Sequence, residues 1–262
     1  MASVLPAVLA ALIACALTGA IAAAQEADPE VGVAEHLGER LPLDLRFLDP
    51  EGRSIPLAEL IDRPTVLTLV YYRCPGICSP LLSGLVDVLE KMELEPGRDY
   101  QVLTISFDPT ETPDLAGRKR ANHLAAFHEP FPDSAWHWMT GDSLSIARLT
   151  DAVGFRYKRV GKDFTHPGLL TILSPDGRIA RYLYGITFLP FDLKLALIEA
   201  SQGRVGPSIN RVLLYCFSYD PDGRRYAFDI LKVSGTLIMF FAVAFAVYLV
   251  ISTRRARRER RR

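Results

Sequence analysis

The sequence predicts an α/β fold with a mixed central sheet, followed by a C-terminal transmembrane helix. Three observations carry this expectation. Two nearly continuous apolar runs, residues 65–72 and 100–107, read as strands buried on both faces. Segments of helical spacing alternate with them, and the pattern closes in an antiparallel hairpin and a last helix. Residues 233–252 carry no charge, over a length that crosses about 30 Å of hydrocarbon as a helix.

The elements follow in order. Residues 1–24 are almost entirely small or apolar and end in Ala22-Ala23-Ala24 before Gln25, the pattern of a cleaved signal peptide; no Lys or Arg precedes the apolar run, which leaves an uncleaved anchor as the alternative. Leu12-Ile13-Ala14-Cys15 resembles a lipoprotein box, but the residues after Cys15 stay apolar, unlike a solvated tether. Residues 41–47 and 54–57 read as a small hairpin around Asp49-Pro50-Glu51-Gly52. Residues 65–72 form the first central strand. Residues 79–94 form a helix with Leu82, Leu85, Val86 and Leu89 on one face. A strand at 100–107 precedes a helix at 112–127 with Pro113 in its first turn. The helix at 142–153 is capped by Asp142 or Ser143. Strands at 169–173 and 178–184 pair through the turn Ser174-Pro175-Asp176-Gly177, and a final helix covers 191–201.

The organisation expected is therefore a signal peptide at 1–24, one domain at 25–204, a connecting segment at 205–230, the membrane helix at 231–252 and an Arg-rich tail at 253–262. The tail holds seven arginines and marks the cytoplasmic side, so the chain is expected to be a single-pass protein of the cell membrane with its domain outside the cytoplasm. Charge supports a restricted set of partners. Thirty basic and thirty acidic residues give a formal net charge of zero. With the arginine tail set aside the domain is net acidic, which excludes nucleic acid and leaves a metal, a small molecule or another protein.

Of the four cysteines, two form Cys74-Pro75-Gly76-Ile77-Cys78, directly after the first central strand and before a helix. A helix N-terminus favours negative charge, so a thiolate there is stabilised and binds metal or reacts more readily. Three readings compete. A structural disulfide closing three residues removes little chain entropy. A redox dithiol, as in thioredoxins, usually has two intervening residues rather than three. A soft-metal site suits two thiolates on one turn, above all for Cu(I). Two thiolates need a third ligand. His36, His123, His128 and His137 read as surface or packing residues, whereas His166 lies in Phe164-Thr165-His166-Pro167-Gly168, a loop entering the late hairpin.

Several motifs in order now resemble one family. Tyr71-Tyr72-Arg73-Cys74-Pro75-Gly76-Ile77-Cys78, Thr104-Ile105-Ser106-Phe107-Asp108-Pro109 with Thr112-Pro113, Asp163-Phe164-Thr165-His166 and Ser174-Pro175-Asp176-Gly177 are together similar to the Sco/SenC family, from about residue 43 to 200. The resemblance implies a thioredoxin-like fold and a site for copper, as Cu(I) or Cu(II), made of Cys74, Cys78 and His166. It implies a redox-dependent Cys74–Cys78 disulfide and places Asp108 close to the metal region. It further implies a metallochaperone for the binuclear copper site of cytochrome c oxidase, whose partners are subunit II or a related cuproprotein, other copper chaperones or thiol reductants. The alternative is a thiol-disulfide oxidoreductase that reduces the cysteines of an oxidase subunit. A thiol peroxidase, suggested by Arg73 beside Cys74, is disfavoured by the paired cysteines.

The departures are specific. Ser79 separates Cys78 from Pro80, and Thr165 and Pro167 flank His166. Pro167 falls near the cis-proline position of the thioredoxin fold, so a cis His166–Pro167 bond is expected. Cys216 is expected to be a buried free thiol, with a link to another chain as the alternative.

Overall fold

The structure, a computed structural model, describes residues 31–206, the strands Phe217–Asp220 and Arg225–Phe228, and isolated helical positions between 234 and 248. The chain divides into two compact units, Met1–Gly206 and Pro207–Arg262.

In the first unit a two-residue strand, β1 (Gly32–Val33), leads to the expected small hairpin of β2 (Arg46–Leu48) and β3 (Ser54–Pro56). Asp49 closes its turn: one carboxylate oxygen accepts from the N–H groups of Glu51 and Arg53. One helical turn, α1 (Leu57–Leu60), precedes β4 (Thr65–Val70), and every residue of β4 is buried. Next come α2 (Cys78–Glu90) and β5 (Gln101–Ser106), the latter again buried throughout. α3 (Pro113–Leu124) starts with its proline where no N–H is needed and with the Thr112 hydroxyl accepting from the Leu115 N–H. β6 (Trp136–Met139) and α4 (Ser143–Ala152), capped by Asp142, follow. The chain then makes β7 (Phe155–Arg156), which pairs with β1, and the short hairpin of β8 (Lys158–Val160) and β9 (Asp163–Thr165). The unit ends with the hairpin of β10 (Leu169–Leu173) and β11 (Ile179–Tyr184) and with α5 (Pro190–Ser201).

The central sheet has the order β11-β10-β4-β5-β6. β4, β5 and β6 are parallel because α2 and α3 act as crossovers, whereas β10 runs antiparallel to both β4 and β11. The sheet is thus mixed, as the alternation of strands and helices predicts. β6 and the β8–β9 hairpin are additions to that reading. β6 carries Trp136 and Trp138, both fully buried, and the Trp136 indole N–H donates to Thr104 Oγ1 on β5 at 2.8 Å. α2 begins one residue earlier than its periodicity suggests, at Cys78, and ends at Glu90; α3 ends at Leu124.

The core fills both faces of the sheet. Val66, Val70, Val102, Leu103, Leu85, Ile172, Leu173 and Leu193 have essentially no exposed surface. Each such side chain contributes about 1.5–3 kcal/mol through burial. α2 approaches the segment after β11 so closely that a methyl group at Gly84 would collide with the carbonyl oxygen of Ile186.

Two expectations are corrected. The transmembrane helix at 231–252, and with it the single-pass cell-membrane anchor and the placement argued from it, is not borne out: among the described residues no helix is long and apolar enough to cross a membrane. An uncharged run meets a hydropathy criterion without establishing a continuous helix. Most of that run lies outside the described residues, as do the expected signal peptide at 1–24, most of the connecting segment, the arginine tail and Cys216. The second correction is the His166–Pro167 bond, which is trans, since the described backbone contains no cis peptide. A proline lowers the cost of the cis form without imposing it. In the second unit, β12 (Phe217–Asp220) and β13 (Arg225–Phe228) form an antiparallel pair with Phe217 opposite Phe228.

The Gly84 contact yields a prediction. Gly→Ala in a free helix gains up to about 1 kcal/mol, but here the added methyl meets backbone, and overpacking costs about 1–3 kcal/mol. Gly84→Ala should therefore lower the thermal midpoint; an unchanged or higher midpoint would show that α2 is free to move away from Ile186.

Candidate metal centre

The site is assembled by strand pairing. β4 ends at Val70 and delivers Tyr71 to Ile77 as a turn before α2. In the antiparallel β10–β4 register, Thr171 lies opposite Leu67 and Ile172 opposite Val66. The pairing brings the loop before β10, which carries His166, to the end of β4 where the cysteine turn begins. Cys78 and His166, 88 residues apart in the chain, meet there.

Cys74, Cys78 and His166 each turn one ligand atom to a common point, all within 4.8 Å of one another. Cys78 Sγ is 3.3 Å from His166 Nε2. Both cysteines are free thiols; Cys74 is half-buried, whereas Cys78 is 3% and His166 9% exposed. His166 Nδ1 lies 3.0 Å from the carbonyl oxygen of Pro167. A carbonyl only accepts, so Nδ1 carries the proton and Nε2 presents its lone pair to the sulfurs. The imidazole is boxed by aromatic rings: Phe107 at 5.1 Å, Tyr71 at 5.9 Å and Phe155 at 6.1 Å between centroids. These contacts hold the ring edge toward the cysteines and keep water from its other face.

The two thiols differ electrostatically. The hydrogen bond from Cys78, joined by the N–H groups of Cys78 and Gly76, pulls Cys74 down from the usual 9.0 to about 4. Cys78 goes the other way: the same hydrogen bond, and then its burial, keep it protonated well above the usual thiol range. The position at a helix N-terminus predicts an acidic thiol, and that holds for Cys74 only; at Cys78 burial and the neighbouring thiolate outweigh it. Soft sulfur donors and one neutral imidazole form a donor set that fits a soft or borderline transition metal.

Asp108 does not join this group. It is buried at the start of a turn, and its Oδ1 accepts from the N–H and hydroxyl of Thr110 and lies 3.7 Å from Arg159 Nη2. Arg159 in turn covers the Phe164 ring at 4.4 Å, so Asp108 links the turn after β5 to the approach of His166. The aromatic box and Glu111 are absent from the sequence-based site. Glu111 is 5% exposed, and its carboxylate accepts from the N–H groups of Tyr72 and Arg73 and from the Ser106 hydroxyl, at 2.6, 2.7 and 2.6 Å. Its only sequence signal is its place between two quoted motif elements, Asp108-Pro109 and Thr112-Pro113.

A family model described as SCO1/SenC matches residues 35–188 of the chain. The mitochondrial SCO2 homologue of Bos taurus is 29% identical over 146 residues, which cover 53% of this chain and 52% of that protein. A protein of Stutzerimonas stutzeri, provisionally named a copper-binding protein, is 24% identical over 156 residues, 52% of this chain and 72% of its own. The chain spans about half the length of the SCO2 relatives it matches. Among solved structures, a crystal structure from Aquifex aeolicus, provisionally termed an electron transfer protein, superposes with a TM-score of 0.58 at 29% identity, over 63% of this chain and 95% of that one.

The thiol asymmetry is measurable. Under reducing conditions iodoacetamide should modify Cys74 well before Cys78, with a rate that holds as the pH falls and drops only as it nears about 4. In Cys78→Ala the largest cause of the depression is gone, so the profile of Cys74 should move up toward 9.0. An unchanged profile in that variant would contradict the shared hydrogen bond.

Proposed function

The chain belongs to the SCO1/SenC family, and on that premise we propose that it binds copper through Cys74 Sγ, Cys78 Sγ and His166 Nε2 and acts as a metallochaperone in assembly of the binuclear copper site of cytochrome c oxidase. The observation that carries the reading is the convergence of these three ligand atoms within 4.8 Å, with Nε2 already the unprotonated nitrogen. The name of the Stutzerimonas relative supports copper as the ion. Bound copper supplies exchangeable soft-ligand coordination, and the protein's part is to present thiolates and to hold the imidazole. Because the ligands must be thiolates, binding follows the redox state of the pair: the reduced form binds, the Cys74–Cys78 disulfide does not. The partner in this reading is subunit II of the oxidase or a related cuproprotein.

One observation favours a second reading, thiol-disulfide exchange with the cysteines of an oxidase subunit. An acidic, half-exposed Cys74 backed by a buried, protonated Cys78 is the arrangement of an attacking and a resolving thiol.

Copper titration of the reduced chain separates the two. His166→Ala removes a direct ligand and should weaken binding by at least about 100-fold, more than the loss of an outer contact does, while leaving reduction of a small disulfide substrate within about twofold. Equal copper affinity in wild type and variant would sink the three-ligand site and leave the exchange reading standing.

A further inference from the structure

The turn that bears Cys74 has a buried anchor. Glu111 lies under it with no water-facing surface to speak of, and its carboxylate oxygens receive three donors. Two of these are the backbone N–H groups of Tyr72 and Arg73, the residues immediately before Cys74; the third is the hydroxyl of Ser106, the last residue of β5. β4 and β5 pair up to Val70 opposite Ser106, so the carboxylate continues the tie between the two strands after their backbone pairing stops. Tyr72 and Arg73 would otherwise carry unpaired N–H groups at this point, at a cost of about 1–3 kcal/mol each if buried.

The chemistry of these donors is the telling part. All three are neutral, so they hold the carboxylate without cancelling its charge. The Arg73 guanidinium does not turn toward Glu111; it donates to Thr110 Oγ1 at 3.2 Å. The negative charge therefore persists inside the protein beside the cysteine turn, where its field is weakly screened. A fixed anion attracts a metal ion held by Cys74, Cys78 and His166, and it attracts a divalent ion about twice as strongly as a monovalent one.

We propose that Glu111 is the positioning residue of the metal centre, holding the cysteine turn through the Tyr72 and Arg73 N–H groups, and that its fixed negative charge sets the preference of the site toward Cu(II) relative to Cu(I). This inference rests on the reading of Cys74, Cys78 and His166 as a copper site. Sequence inspection passes over Glu111 because a charged residue in a turn ordinarily faces solvent.

The test is a comparison of the two oxidation states in the full chain, with Cu(I) and Cu(II) titrated separately against a competing chelator. Glu111→Gln keeps the size of the side chain and removes the charge. It should weaken Cu(II) binding about tenfold more than Cu(I) binding, with a shift in the Cu(II) electron paramagnetic resonance spectrum. A loss that is equal for both ions, or no loss, overturns the proposal, because a merely structural residue does not discriminate by charge. Glu111→Asp covers the case in which Glu111→Gln does not fold. It retains the charge but is one methylene too short to reach all three donors, so both affinities should fall while their ratio stays within about twofold; an altered ratio, or unchanged affinities, overturns the proposal. If wild type binds neither ion, the copper reading itself fails and takes this inference with it, an outcome distinct from normal wild-type binding with an indifferent variant.

Discussion

The antiparallel pairing of β10 with β4 is the constraint on which the site depends. β4 ends where the cysteine turn begins, and β10 starts where the histidine loop ends. A slip of one residue in this register would exchange the faces of every side chain on β10 and carry His166 away from the sulfurs. The register is held because both strands are buried on both faces, so neither can slide without exposing Val66, Leu67, Ile172 or Leu173. Hydrophobic burial spread over two strands thus fixes the position of a single imidazole nitrogen.

Around that constraint, hydrogen bonds do the finer work. The Pro167 carbonyl selects the tautomer of His166, three aromatic rings fix the plane of its ring, and Glu111 holds the residues just before Cys74. The Asp108–Arg159 pair and the Arg159–Phe164 stack connect the turn after β5 with the segment leading to His166. None of these groups is itself a donor to the common point, yet each restricts a donor. The two cysteines are made unequal by the same logic: identical side chains four residues apart differ because the buried one donates the hydrogen bond that the half-buried one receives.

How much of this was legible in the sequence varies with the physical origin of each feature. The strands at Thr65–Val70 and Gln101–Ser106 were readable because burial on both faces demands an unbroken apolar run. The β10–β11 hairpin was readable from its turn residues. β6 was not, since Trp-His-Trp-Met has no β-branched residue, and it becomes a strand only by pairing with β5 and packing two indoles. The cysteines announced themselves by spacing, and His166 by its place before a strand and by family resemblance. Glu111 was signalled only by its place between Asp108-Pro109 and Thr112-Pro113, because the backbone N–H groups that hold it are brought to it only by the folded chain. The cis bond at Pro167 was carried over from the cis-proline position of the thioredoxin fold, and the membrane helix was read from an uncharged run; the bond is trans, and among the described residues no helix is long and apolar enough to cross a membrane.

The close approach of α2 to Ile186 bears on how the centre can respond to a visitor. Cys78 is the first residue of a helix pressed against the chain after β11, and His166 is walled in by rings, so these two belong to the rigid body of the unit. Cys74 alone is on an open turn with Pro75, Gly76 and Ile77 exposed beside it. Access is thereby concentrated in one ligand of the three, and any reagent or protein arriving from solvent meets Cys74 before the others.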